Sequence, residues 1–176
     1  PVYIEQWNTA GSLSTLAFFD TLGPPSSTSA SHGFTFFSNS GAGVIVRYRT
    51  YFIAPVTGTY TFHLLSDDGS MLWMGSTLVV DNNGGHGYLE RVGSIVLTAG
   101  VENLLTVGFY NWYAAALLNV YFSTSSAPKR LIPAEYLADM SGMTPASTSF
   151  SVQCVDNSVY NHPSLVTCIP RPTASF

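Results

Sequence analysis

The 176-residue chain is predicted to be all-β, because short segments of alternating apolar and polar residues recur between turn sequences. The longest alternation runs from residue 43 to residue 53. One face of that segment carries Val44, Val46, Tyr48, Thr50 and Phe52, and the other carries Ile45, Arg47, Arg49, Tyr51 and Ile53. The segment is therefore predicted to be a long strand with at least one face partly in contact with water.

Further strands are predicted at residues 59–65, 71–74, 78–80, 94–97, 104–111 and 117–123. Glycine-, asparagine- and proline-containing turns separate them, and this regular spacing of short strands is typical of a sandwich or a barrel. No segment has a convincing helical period. A single short turn is expected at residues 134–138, after Pro133.

The composition of the chain indicates which class of protein it belongs to and which partners are not expected. Only 9% of the residues are charged and 46% are hydrophobic, whereas about a quarter are charged in a typical domain. This profile is common in extracellular β-rich domains. The six Lys and Arg residues are scattered and the net charge is −4, so a nucleic-acid partner is not expected. The sequence contains no apolar run of about 18 residues, so no segment that inserts into a membrane is predicted.

The first 140 residues are predicted to form the β domain, and residues 141–176 a C-terminal segment rich in Ser, Thr and Pro. This segment holds both cysteines, Cys154 and Cys168. Their spacing fits neither a zinc ribbon nor a C-x-x-C redox motif. A Cys154–Cys168 disulfide is expected, closing a loop that stabilises by roughly 3 kcal/mol and indicating an oxidising compartment; two free thiols are the alternative.

Asp67 and Asp68 are adjacent in a chain with only ten acidic residues. Neighbouring side chains in a regular strand point to opposite faces, so both carboxylates reach one ion only if the backbone turns sharply or adopts a cis peptide bond. Ca²⁺ suits such a site because it takes six to eight oxygen ligands. The alternative is an ordinary turn, since Asp-Asp-Gly is favourable turn sequence anywhere.

Residues 58–75, with the string Ser66-Asp67-Asp68-Gly69 at their centre, resemble the signature hairpin of the anthrax protective-antigen (PA-fourteen) domain family. Residues 48–55, 109–111 and 131–137 are similar to the strands that precede and follow that hairpin. The resemblance covers roughly residues 1–140. It implies an antiparallel, jelly-roll-like β-sandwich with long ligand-binding loops at one end.

Within this superfamily the chain resembles the fungal GLEYA and flocculin-type adhesins, whose lectin domains bind glycans through calcium. The resemblance implies that Asp67 and Asp68, joined by a cis peptide, and Asn111 bind Ca²⁺ through their side chains. It implies that Tyr113 and Ala115 bind it through main-chain carbonyls. Residues 111–116 contain no literal GLEYA string, and only two cysteines stand where many relatives have several.

Carbohydrate contacts are expected around the same ion. A bound Ca²⁺ keeps coordination positions that vicinal sugar hydroxyls can take from water, and Asp67, Asp68 and Asn111 can hydrogen-bond those hydroxyls. Trp112 is a candidate wall for the apolar face of a sugar, with a core position as its alternative. His86, in the loop at residues 81–87, is a candidate glycan contact or part of a simple hairpin connection. Two other residues, His63 and Trp73, are expected to be structural.

We therefore expect a calcium-dependent lectin domain rather than an enzyme, because adjacent aspartates that share a cation are not free to act as a glycosidase pair. The expected setting is an extracellular cell surface or cell wall, where monomeric domains bind terminal hexoses or N-acetylhexosamines multivalently. The alternative is a protein-interaction or structural module of the same fold.

Overall fold

The computed structural model describes residues 1–8, 15, 17–36, 43–113, 115–138 and 140, together with the backbone of residues 37–38, 159–160 and 168–169. The strands are β1 (Val2–Trp7), β2 (Ser27–Ser31), β3 (Phe36–Ser38), β4 (Val44–Ile53), β5 (Gly58–Asp67), β6 (Ser70–Met74), β7 (Thr77–Asn82), β8 (Leu89–Leu97), β9 (Glu102–Asn111), β10 (Ala116–Thr124), β11 (Arg130–Leu131), β12 (Leu137–Ala138), β13 (Val159–Tyr160) and β14 (Cys168–Ile169). A short helix α1 (Ala17–Thr21) follows β1, and a 3₁₀ turn (Ala134–Tyr136) precedes β12.

Two antiparallel sheets form the domain, which confirms the predicted β-sandwich. The seven-stranded sheet has the order β2-β1-β4-β9-β6-β7, with β12 also paired to β4. The five-stranded sheet has the order β11-β10-β5-β8, with β3 also paired to β10. No helix among the described residues is long and apolar enough to cross a membrane.

The core lies between the two sheets and follows the predicted alternation. On β4 the side chains of Val46, Tyr48 and Phe52 are fully buried, whereas Arg47 on the opposite face is partly exposed. Phe52 packs edge-on against Tyr60 and Phe62 of β5, with ring centroids 5.6 and 5.5 Å apart. Aromatic pairs of this kind add about 0.5–1.5 kcal/mol each beyond the burial of their area.

The helix α1 covers part of the outer face of the seven-stranded sheet, where it buries a second apolar cluster that includes Trp7, Phe19 and Trp73. Trp73 is thus a core residue, as predicted. Beside this cluster the guanidinium of Arg47 binds both carboxylate oxygens of Glu5, at 2.6 and 2.9 Å. The sequence did not predict α1, because five residues are too few to display a helical period.

The chain divides into two compact units, Pro1–Met140 and Ser141–Phe176. In the second unit β13 pairs with β14, in the register Val159–Ile169 and Tyr160–Cys168. The expected Cys154–Cys168 disulfide falls outside the described residues and stays a prediction.

Candidate functional site

Three neighbouring connections cross from one sheet to the other at the same end of the sandwich. In the seven-stranded sheet β6 lies between β9 and β7, and in the five-stranded sheet β5 lies between β10 and β8. The β5–β6 turn is therefore the middle connection. The β9–β10 loop runs along one side of it, and the β7–β8 loop runs along the other. The Asp pair occupies the middle turn.

The strand registers place the predicted ligands around this turn. Asp67 pairs with Leu117 at the start of β10, two residues after Ala115. The Tyr110 N–H donates to the Gly69 carbonyl at 2.9 Å, so the next residue of β9, Asn111, lies alongside Asp68. The structure thus brings Asp67, Asp68 and Asn111 to one end of the sandwich, and Tyr113 and Ala115 lie between β9 and β10 at the same end.

The peptide bond between Asp67 and Asp68 is cis. Each carboxylate oxygen of Asp68 accepts a backbone hydrogen bond from a different flanking loop. The His86 N–H donates to Oδ1 and the Trp112 N–H donates to Oδ2, both at 3.0 Å. Asp68 therefore connects the two flanking loops through the middle turn, and its oxygens keep lone pairs for a further ligand.

No Lys or Arg side chain neutralises the negative charge of the pair in the described part of the chain, where the ion pairs of these residues all involve Glu5, Asp20 or Glu90. Partial burial, and next the charge of Asp68, raise the pKa of the Asp67 carboxyl, while the nearby His86 lowers it. Removal from water and a like charge both disfavour the ionised form. A bound cation would reverse this effect.

Gly69 has a steric role in the turn. A Cβ at this position would lie 2.3 Å from Cε1 of Tyr110 and 2.9 Å from the Gly84 carbonyl oxygen. Burial, and next the charge of Asp68, raise the pKa of the Tyr110 phenol, while a backbone hydrogen bond of Gly84 lowers it. The glycine of the Asp-Asp-Gly sequence thus allows the ring of Tyr110 and the β7–β8 loop to approach the Asp pair.

A buried polar network lies directly behind the pair. The hydroxyl oxygens of Ser66 and Ser70, which flank the turn, are 2.8 Å apart. Asn82 Nδ2 donates to Ser66 Oγ at 3.0 Å and to the Leu89 carbonyl at 3.1 Å. These three polar side chains are almost fully buried. The network therefore fixes the base of the turn to the start of β8.

The two predicted sugar contacts, Trp112 and His86, differ in exposure and in the hydrogen bonds that their side chains already make. Trp112 is 57% exposed, so its alternative, a core position, is excluded. The imidazole of His86 is held by its own loop, with Nδ1 2.8 Å from the Gly87 carbonyl oxygen and Nε2 3.0 Å from that of Asn82. Its ring nitrogens already have partners, and its clearest contact with the pair is through the backbone.

Sequence reasoning missed one exposed aromatic residue beside the pair, Tyr88, which is 64% exposed. The last register pair between β5 and β8 joins Ser66 to Leu89, and Tyr88 is the residue just before that pair, at the end of the sheet where Asp67 lies. A single tyrosine after an Asn- and Gly-rich loop gives no sequence signal of this kind. Its position becomes evident only once β8 is known to pair with β5.

A second polar cluster lies on the outer face of the five-stranded sheet. His63 Nε2 is 3.0 Å from Ser123 Oγ, its Nδ1 is 3.5 Å from Glu90 Oε1, and Lys129 pairs with Glu90. The arrangement of Ser123, His63 and Glu90 resembles a hydrolase triad. The main partner of Glu90 is however Lys129, since the hydrogen bond from Lys129 is the largest cause of the lowered pKa of the Glu90 carboxyl. The contacts of His63 fit the structural role expected for it.

Comparisons with known proteins place this arrangement in a family. The PA14 domain model matches residues 35–136, which is more than half of the chain. Anti-sigma-I factor RsgI3 of Acetivibrio thermocellus is 31% identical over 87 residues, which cover 49% of this chain and 14% of that protein. The chain thus matches only a small part of this curated relative.

Two solved structures have the same fold. The PA14 sugar-binding domain from an RTX adhesin superposes with a TM-score of 0.67 at 18% identity, covering 78% of this chain and 97% of that one. The epithelial adhesin 6 A domain of Candida glabrata, solved with Galβ1-3GlcNAc, superposes with a TM-score of 0.60 at 14% identity, covering 77% and 85%. At these identities the likeness concerns the fold.

Proposed function

Because the chain belongs to the PA14 domain family, we propose that it is a carbohydrate-binding module that recognises sugars through Ca²⁺ at the Asp67–Asp68 turn. The observation that carries the proposal is the juxtaposition of two adjacent carboxylates that no Lys or Arg in the described chain neutralises. A hard cation is the partner that such an all-oxygen donor set favours.

The residues around the turn suit calcium. Asp67, Asp68 and Asn111 would hold the ion through side-chain oxygens, and Tyr113 and Ala115 through main-chain carbonyls. When bound, the ion supplies coordination positions at which the vicinal hydroxyls of a sugar replace water. Asp68 itself stays oriented by the N–H groups of His86 and Trp112, because fixed hydrogen bonds hold a ligand's rotamer.

The sugar would lie over the turn between the two flanking loops. Trp112 presents an exposed aromatic surface to the apolar face of a ring, and the carboxylates of the pair accept hydrogen bonds from its hydroxyls. His86 supports this site by holding the β7–β8 loop against Asp68. We propose no catalytic step, since both aspartates serve as ligands.

The biological setting follows from the same proposal. An RTX adhesin domain described as sugar-binding and a Candida adhesin domain solved with a disaccharide share the fold, and we propose an extracellular adhesive role for this chain. The fungal adhesin branch stays a prediction that depends on the resemblance of residues 58–75. Monomeric domains with weak sites can adhere through many copies, which raises apparent affinity by about 10²–10⁴.

A second candidate is a protein-interaction or structural module, which the relationship to an anti-sigma-I factor favours. A glycan panel measured in Ca²⁺ and again after chelation separates the two proposals. The lectin proposal predicts binding of at least one sugar that chelation abolishes. A folded domain that binds no sugar in Ca²⁺, or binds equally after chelation, would contradict it.

A further inference from the structure

Exposed aromatic side chains stand on both sides of the Asp pair. Trp112, on the β9–β10 loop, is 57% exposed, and Tyr88, at the end of the β7–β8 loop, is 64% exposed. Large apolar side chains at a surface mark a binding site when they border polar groups that can orient a ligand. The two aromatics border the same pair of carboxylates.

A hydrogen bond and the strand register place the two aromatics at the end of the sandwich that carries the Asp pair. The backbone N–H of Trp112 donates to Asp68 Oδ2 at 3.0 Å. Tyr88 lies one residue before β8, whose first residue Leu89 pairs with Ser66. The backbone of Tyr88 is therefore near the end of β5, where Asp67 lies.

The spacing between the two flanks suits a single sugar ring. The flanking connections are separated by two inter-strand spacings, or about 10 Å, because the β5–β6 turn lies between them. A ring in van der Waals contact with an aromatic plane on each side needs about 7–8 Å between those planes. The backbones of the two flanks are therefore far enough apart to admit one pyranose ring edge-on, with two hydroxyls towards the carboxylates.

We propose that Tyr88 is a specificity-determining residue which, with Trp112, encloses both faces of one pyranose ring. This inference rests on the proposed function. A ring whose hydroxyls are all equatorial presents axial C–H groups on both faces, so both faces are apolar. An axial hydroxyl places a polar group on one face, where an aromatic wall cannot hydrogen-bond it. The site therefore selects gluco-configured sugars over galacto- or manno-configured ones.

The test compares methyl β-glucopyranoside with methyl β-galactopyranoside, which differ only in the orientation of the C4 hydroxyl, by NMR titration in saturating Ca²⁺. The native protein should bind the glucoside about tenfold more tightly, the size of one good aromatic contact. Tyr88→Ala should lower the glucoside affinity by about tenfold and leave the galactoside affinity unchanged. Tyr88→Phe should retain the preference, because the ring remains.

Leu131→Ala provides the control. Leu131 is 54% exposed and lies on β11, a strand that pairs with β10 and not with β5. The sugar affinities of the Leu131→Ala protein should match those of the native protein. The inference is overturned if native protein binds both sugars equally, or if Tyr88→Ala keeps the preference. Either result would leave calcium-dependent sugar binding intact and so would not affect the proposed function. Failure of every sugar to bind, by contrast, would overturn both proposals.

Discussion

Gly93 should be required for full stability, because the two sheets meet there without room for a side chain. Gly93 lies on β8 opposite Phe62 of β5. A Cβ on Gly93 would fall 1.7 Å from the carbonyl oxygen of Val79 and 2.7 Å from its carbonyl carbon. Val79 lies in β7 at the register shift of the β6–β7 pair. The atoms in the way are backbone, so no side-chain rotation can relieve the contact.

Gly93→Ala must therefore move β8 away from β7. Overpacking of this kind costs about 1–3 kcal/mol, and a backbone clash belongs at the upper end of that range. A loss of about 3 kcal/mol lowers the Tm of a domain of this size by roughly 6–12 °C. Because β7 and β8 also anchor the loop that carries His86 and Tyr88, sugar affinity should fall as well.

The assay is thermal and urea unfolding followed by circular dichroism. Gly58→Ala is the matched control, since it opens β5 and a Cβ there meets no atom within 4 Å; its stability should stay within about 0.5 kcal/mol of native. A Gly93→Ala protein as stable as the Gly58→Ala protein would refute the close approach of the two strands.

Two further predictions concern the scaffold. Glu5→Gln should destabilise the domain by about 3 kcal/mol in urea unfolding, because it leaves the largely buried Arg47 without its bidentate partner. The control is Asp20→Asn, which changes an 81% exposed side chain 3.7 Å from Arg47 and should have no measurable effect. Equal effects of the two substitutions would contradict the stabilising role of the Glu5–Arg47 pair. Burial raises the pKa of Tyr48, so the neutral phenol is kept on folding while the unfolded chain ionises near pH 10. The contribution of this phenol to the free energy of unfolding is therefore fully present below about pH 10. Above that pH the free energy of unfolding falls by up to about 1.4 kcal/mol per pH unit. Tyr48→Phe should flatten this alkaline loss in urea midpoints measured at pH 8 and pH 11, and an unchanged slope would contradict the role of Tyr48.

The sequence predicts features that depend on local pattern. The alternation at residues 44–53 identifies β4 and its buried face, and the Ser-Asp-Asp-Gly string locates the turn where Asp67 and Asp68 lie. These signals are local because side-chain direction in a strand depends only on the period of two. The predicted ligands Asn111, Tyr113 and Ala115 depend on a family resemblance and not on spacing.

Features that depend on how distant strands meet are not evident from the sequence. Tyr88 comes to the end of the sandwich that carries Asp67 only when β8 pairs with β5, and Gly93 becomes sterically restricted only when β8 approaches β7. The buried hydrogen bonds of Asn82 to Ser66 and Leu89 likewise join residues from separate strands. A residue-by-residue pattern contains no information on such pairings.

The most direct test of calcium binding at the Asp pair is the Tm of the native domain against Ca²⁺ concentration, beside Asp67→Asn and Asp81→Asn. Asp81 is an exposed aspartate on β7 outside the proposed ligand set. At 100 times the Kd, Ca²⁺ should stabilise the native and Asp81→Asn proteins by about 2.7 kcal/mol, or roughly 5–11 °C. Without Ca²⁺, the Asp67→Asn protein should be at least as stable as the native domain, because one of two like charges is removed. Adding Ca²⁺ should raise the Tm of the Asp67→Asn protein by almost nothing. A native domain whose Tm does not respond to Ca²⁺, or an Asp67→Asn protein that keeps the full shift, would contradict the account.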